Sequence, residues 1–202
     1  MDSAASRALR DPAAIAARQE LATRSDHVAP LNDFTRELEY RGRVPSFDPT
    51  DAGINARVLF VLEAPGPMAG ADRGSGFVSA DNNDATAANC WTARSAAGLI
   101  DGVLMWNACP WYLGAATVKP SPLEVARGAA ELRALIDLLP YLQTVVLCGS
   151  YAKTAWRTHV VHTFDNAPDA IETWHPSAAS LSRPERRTHF MNAVARAAAT
   201  AR

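Results

Sequence analysis

Four short apolar runs govern what this chain can fold into. Val58-Leu59-Phe60-Val61-Leu62 runs unbroken into Glu63-Ala64-Pro65-Gly66, and Gly102-Val103-Leu104-Met105-Trp106 ends at Asn107. Thr144-Val145-Val146-Leu147-Cys148 ends at Gly149-Ser150, and Ile171-Glu172-Thr173-Trp174 ends at His175-Pro176-Ser177. Runs of this length, bounded by turn residues, are strands covered on both faces. Helical stretches lie between and after them, over Ala85–Ile100, Pro122–Leu139, Tyr151–Thr158 and Pro184–Ala199. The alternation predicts a three-layer α/β/α domain around a central, mainly parallel four-stranded sheet. Ligands of such sheets bind beyond the C-terminal strand ends, so Glu63, Asn107, Ser150 and His175 are expected on one rim.

The chain before these runs reads differently. Ala13–Ala22 is alanine-rich with Ile15 and Leu21 as its large apolar residues, and Leu31–Tyr40 sets Leu31, Phe34 and Leu38 near one stripe. Pro45, Pro49 and Gly53 then break the pattern. So few large apolar side chains bury too little for a free-standing unit. Residues 1–50 are therefore expected as a helical arm packed on a core domain over 51–202.

Charge and composition narrow the function classes. Hydrophobic residues make up 48% and charged residues 20% of the 202, which excludes a disordered chain. The net charge of −1 excludes a protein that binds nucleic acid by bulk charge. The 40 alanines, and 18 arginines against 2 lysines, have two readings. One is helix propensity and bidentate anion recognition; the other is a GC-rich coding sequence. By region the charge is uneven: residues 149–202 carry 7 basic and 4 acidic residues, a surplus of 3. Cys90, Cys109 and Cys148 are odd in number and widely spaced, which speaks against a disulfide framework or a cysteine zinc site. His159 and His162 lack a third partner for a metal. The N-terminus has no apolar core run and no stretch reaches membrane-spanning length. A cytoplasmic monomer without cofactor is expected.

Several residues stand out for chemistry. Leu62-Glu63-Ala64-Pro65-Gly66-Pro67 lacks the Gly-Lys-Thr of a phosphate loop, and on local grounds is a tight turn with an exposed Glu. The segment from Gly70 to Asn89 is long and polar, a size associated with function or motion. Within it, Asp84 precedes Ala85-Thr86-Ala87-Ala88 as a helix N-cap would, whereas Asp81 has no such local role. Phe77 reads either as a stacking platform or as an anchor for the loop. Asn107 offers donor and acceptor in fixed geometry, suited to a base edge or to backbone groups in a turn. His175 reads either as a structural histidine or, from its place on the ligand rim, as a catalytic one, and Ser177 with Arg183, Arg186 and Arg187 is suited to holding phosphate.

Together these segments resemble the uracil-DNA glycosylase superfamily, from about Arg57 to Ala199 and in the right order. Leu62–Gly66 is nearest to the Gly-Glu-Ala-Pro-Gly motif of the thermophilic iron–sulfur family. Val145–Ala152 resembles the strand–Gly–helix segment, and His175-Pro176-Ser177 the second catalytic motif. The resemblance implies a uracil pocket formed by Glu63, Ala64, Pro65 and Gly66, with Phe77 stacking on the base. It implies that Asn107 reads the base edge and that His175 stabilises the departing uracil. Ser177, Arg183, Arg186 and Arg187 would grip DNA, with Leu181 as the wedge. Three departures matter, the first being Leu62 in place of the motif's leading glycine. No cysteine precedes Cys90, so no cluster is expected, and Ala64 stands where better-known members carry a water-activating Asp or Asn. The Gly70–Asn89 loop is then the expected supplier of the carboxylate, Asp81 first and Asp84 second.

The implied activity is base-excision repair: hydrolysis of the N-glycosidic bond of uracil in DNA, leaving an abasic site. Two other readings stay open. One is a non-catalytic or covalent binder of uracil-containing DNA, suggested by Ala64. The other is a serine hydrolase using Ser150, Asp165 or Asp169, and His175, although Ser150 lacks the flanking glycines of a nucleophile elbow.

Overall fold

The computed structural model describes residues 7–70, 72–114 and 118–201. The first six residues of the N-terminal arm, Ala71 in the long loop and Arg202 of the basic C-terminal region lie outside the described residues. Twelve elements follow in chain order: α1 (Pro12–Ala22), α2 (Ala29–Leu38), β1 (Ser46–Phe47), β2 (Val58–Leu62), β3 (Phe77–Val78), α3 (Ala85–Ala96), β4 (Val103–Asn107), α4 (Pro122–Asp137), β5 (Thr144–Cys148), α5 (Ser150–Ala155), β6 (Asp169–Thr173) and α6 (Pro184–Thr200). The four apolar runs are β2, β4, β5 and β6. They form one parallel sheet in the order β4-β2-β5-β6, with helices on both faces, as the alternation predicts. A two-stranded parallel pair, β1 with β3, was not foreseen, since neither piece is long enough to show a period.

Side-chain alternation sorts the sheet into two cores. Leu59, Val61, Leu104, Trp106, Val145 and Leu147 face α4 and α5, where Val125, Ala129, Leu132, Ala152 and Trp156 meet them. Val58, Phe60, Met105, Val146, Cys148 and Ile171 face α3 and α6 through Cys90, Ala93, Phe190, Val194 and Ala197. Local rules set the helix ends. Asp84 caps α3 by accepting from Ala87 N–H at 2.9 Å, and Ser121 with Glu124 forms a reciprocal capping box on α4. α5 stops after six residues and continues as one wider turn over Trp156–Val160.

The N-terminal segment lies against this core by two means. Leu31, Leu38, Val44 and Phe47 join the first core, where Phe47 stacks on Trp106 at 4.9 Å between ring centres. From α1, which buries nothing of its own, Arg18 reaches across to Asp48 (2.6 Å), the Thr50 hydroxyl (2.7 Å) and Asp81 (3.0 Å). Nearby Asp51 accepts from Arg94 of α3 at 3.2 Å, while its second oxygen is buried without a partner.

Burial raises the Asp51 carboxyl to about 7, against the lowering pull of Arg94. The folded state therefore holds this proton more tightly than the unfolded chain, so the associated stability is full at acid pH and is lost as pH rises through about 7. The melting temperature should fall between about pH 4 and about pH 7, and Asp51→Asn, similar in shape and uncharged, should flatten that fall. An equally steep fall in the variant would assign the dependence to other groups.

Candidate active site

A cleft of about 730 Å³ opens where the C-terminal ends of β2, β4 and β6 meet the loop before α3. Its position follows from strand order. The chain leaves central β2 for β4 on one side and later returns to β5 on the other. The connections diverge there and leave a crevice. Glu63, Ala64, Pro65 and Gly66 form one wall, Asn107 and Met105 the floor, His175 and Ser177 a second wall, and Asn82–Ala87 a third.

Asn107 ends β4 opposite Leu62 of β2, and the pairing runs on past both strands. Ala108 N–H donates to Leu62 O at 2.8 Å and Cys109 N–H to Glu63 O at 3.0 Å, which locks the two wall segments together. From behind, Gly128 of α4 lets the helix approach, for a Cβ there would lie 1.9 Å from Ala108 O. Asn107 is 3% exposed, and among the described residues no hydrogen bond engages its side chain. Its amide atoms are not among the fully enclosed unpartnered ones, so they open on the cleft, where a ligand or water can pair with them.

His175 follows β6 directly. Ser177 N–H donates to its Nδ1 at 3.2 Å, so the neutral ring carries its proton on Nε2. Burial pushes the imidazole below the ordinary histidine value, outweighing the upward pull of Glu63 and Asp84. The loop is held from α3, where Asn89 Nδ2 donates to Pro176 O at 2.8 Å. Glu63 accepts from Lys119 Nζ at 2.6 Å across the mouth.

The loop residues are placed otherwise than expected. Asp81 does not reach the cleft. Its carboxylate is tied to Arg18 and lines a separate small cavity with Asp48, Asp51 and Arg94. Asp84 lines the cleft while capping α3 with Oδ1, which leaves Oδ2 outside the cap. Phe77 is 3% exposed and absent from the cleft lining; Val78, the next residue on β3, faces it instead. The stacking role for Phe77 is thus not supported, and its anchor reading fits. Leu181 is 1% exposed, packed in the second core with Phe190, and is no wedge. Arg183, Arg186 and Arg187 stand on the first turn of α6 and its cap, outside the cleft, and Ser177 is on its wall.

Two further residues on the cleft lining, Lys119 and Asn82, carry no signal in the sequence. Lys119 sits between structural elements with no motif to mark it. Asn82 pins the loop, its Nδ2 donating to Phe77 O at 2.8 Å and its Oδ1 accepting from Ser75 Oγ at 2.5 Å. The serine-hydrolase arrangement is not assembled. Ser150 is exposed and outside the cleft, and Asp165 and Asp169 lie before or at the start of β6 while His175 follows its end.

A family model described as the uracil DNA glycosylase superfamily matches residues 49–198. No curated protein matches the chain.

The approach of β5 to His175 generates a sharp test. Gly149 has φ 92° and ψ 179°, a region open in practice only to glycine, and a Cβ there would lie 3.0 Å from the His175 Cβ. Gly149→Ala should cost about 1–3 kcal/mol of stability and shift the His175 ring resonances in a proton–nitrogen NMR spectrum. Unmoved His175 resonances would show that this contact does not hold the ring.

Proposed function

This chain belongs to the uracil DNA glycosylase superfamily, whose chemistry is glycosidic-bond cleavage on DNA, and from that premise we propose that it excises uracil by hydrolysis, leaving an abasic site. The observation that carries the reading is the convergence of the Asn107 amide, a neutral Nε2–H donor and the Asp84 carboxylate on one cleft.

A uridine extruded into the cleft meets these groups in separate roles. Asn107 donates from Nδ2 to uracil O4 and accepts from N3–H at Oδ1. Cytosine presents an amino group and a bare ring nitrogen at those positions, so both bonds are lost and two buried groups go unpaired. Glu63–Gly66 closes the pocket beside the base, and Val78 and Met105 supply apolar surface for the ring. As the glycosidic bond lengthens, its electron pair moves onto the uracil. His175 Nε2–H, desolvated and uncharged, donates to O2, where the negative charge develops. The sugar becomes oxocarbenium-like, and Asp84 stabilises that charge and orients a water. The water adds its hydroxyl to C1′ and its proton ends on the departed base.

Asp84 replaces Asp81 in this scheme because only Asp84 lines the cleft. Ser177 and the cations at the start of α6 hold the flanking phosphates. The partner is uracil-containing DNA, and nothing in the proposed chemistry asks for more than a monomer or for a cofactor.

The deciding experiment incubates the protein with a uracil-containing oligonucleotide, then applies alkali and looks for strand cleavage at the uracil. Asp84→Asn keeps a competent helix cap and removes the charge, and should slow single-turnover excision by at least about 10²-fold. Near wild-type excision would exclude Asp84. A stable complex without cleavage in the wild type would favour a binding protein instead.

The working histidine is the neutral one. Because burial holds its pKa below the ordinary value of 6.5, excision should persist as pH falls through that value and decline only at more acid pH. An acid limb centred above it, and abolished in His175→Gln, would contradict the neutral donor.

A further inference from the structure

Two features beside the cleft bear on the form of DNA it takes. The first concerns the lip that follows His175. Ala178 and Ala179 are exposed there and line the opening, while the leucine of this loop, Leu181, is withdrawn into the core. Among the described residues opposite, Val118 is 47% exposed and Leu113 is half-buried. A protein that takes a base out of a closed duplex offsets the lost stacking by inserting a large apolar group into the gap. Among the described residues, the exposed apolar groups of the two lips are methyl groups on one and a valine on the other, which fill little of that gap. The unstacking cost is least where the strand is already unpaired.

The second feature is Trp174, the residue before His175. It is 40% exposed, although an indole on a monomer surface is ordinarily covered. Arg186 of α6 places its guanidinium 4.0 Å from the centre of the indole, and Lys153 of α5 brings its ammonium to 5.7 Å. Neither cation forms an ion pair among the described residues, whereas Arg157 close by is paired with Glu172. The indole thus gathers two uncompensated positive charges from two helices, one residue away from the histidine. An open aromatic surface flanked by free cations is the chemistry that single-stranded nucleic acid uses: a base stacks on the ring and the phosphates meet the charges.

We propose that Trp174, Arg186 and Lys153 form a landing for an unpaired DNA strand. A nucleobase next to the extruded uridine stacks on the indole, and the intervening phosphates are held by the two cations. The substrate class is therefore uracil in single-stranded or locally opened DNA in preference to a closed U·A pair. This rests on the reading of the cleft as a uracil site. A purely structural alternative exists, in which the cation–π contacts merely latch α5 and α6 to the end of β6; it predicts a change in stability without any change in strand preference.

The test uses one oligonucleotide sequence, single-stranded or annealed to its complement, with and without a single uracil. Wild-type protein should excise uracil at least about tenfold faster from the single strand than from the U·A duplex. Trp174→Ala should weaken affinity for the uracil-free single strand by about tenfold, measured by fluorescence anisotropy, and leave duplex affinity nearly unchanged. Trp174→Phe, which keeps an aromatic face, should recover most of the loss. Equal excision from the two forms would overturn the proposal while leaving uracil excision standing. So would a Trp174→Ala variant that loses thermal stability but not single-strand affinity. Aromatic-dependent single-strand binding with no excision from either form would uphold the landing and sink the uracil reading.

Discussion

The structure depends on a sheet that is buried on both faces. Every residue of β2, β4 and β5 is buried, and alternate side chains belong to different cores. Such a sheet has no wet face on which to hold polar chemistry, so the strand ends are where polar side chains can gather. With β2 flanked by β4 and β5, the connections part above its C-terminal end. Glu63, Asn107 and His175, which together span more than a hundred positions of the sequence, line one cleft there. The burial of Asn107 follows from the same constraint, because it is the last residue of a fully covered strand, whereas His175 lies two residues beyond the partly exposed edge strand β6.

What was legible in the chain tracks what periodicity and strand ends report. The apolar runs mark β2 and β5 to the residue, and their polar termini mark the rim. The loop before α3 was not legible at the level of individual side chains. Asp81 and Asp84 are three residues apart in a segment without regular period, and which of them faces the cleft depends on Arg18, 63 positions from Asp81. The local cap signal at Asp84 was read correctly, but a cap occupies one carboxylate oxygen and leaves the other free for a second task. Phe77 and Leu181 failed for a common reason. Each is a large apolar residue in a polar stretch, and burial claimed it before a ligand role did.

The chain's near-neutral charge of −1 is consistent with a DNA-directed role because the charges are partitioned. Acidic groups around the N-terminal segment are absorbed internally, Asp48 and Asp81 by Arg18 and Asp51 by Arg94. On the opposite side of the chain's charge distribution, Lys153 and the arginines of α6 have no carboxylate partner among the described residues. Net charge sums these two regions and cancels them, whereas a phosphodiester at the cleft mouth senses the nearby set above all, since screening confines the field to roughly a Debye length of about 10 Å.

The same partition explains how a histidine near two carboxylates stays neutral. Glu63 and Asp84 both pull the His175 pKa upward, and Lys119 pulls it down. The Glu63–Lys119 contact at 2.6 Å sets one of those pulls against the other, so burial is left as the deciding influence. A charged imidazolium would attract the substrate's phosphates and the developing leaving-group charge alike, binding ground state and transition state together. In the proposed reaction, a neutral Nε2–H held in the cleft wall would interact weakly with an intact base and more strongly as negative charge accumulates on O2. That differential, and not tight binding as such, is what accelerates bond cleavage.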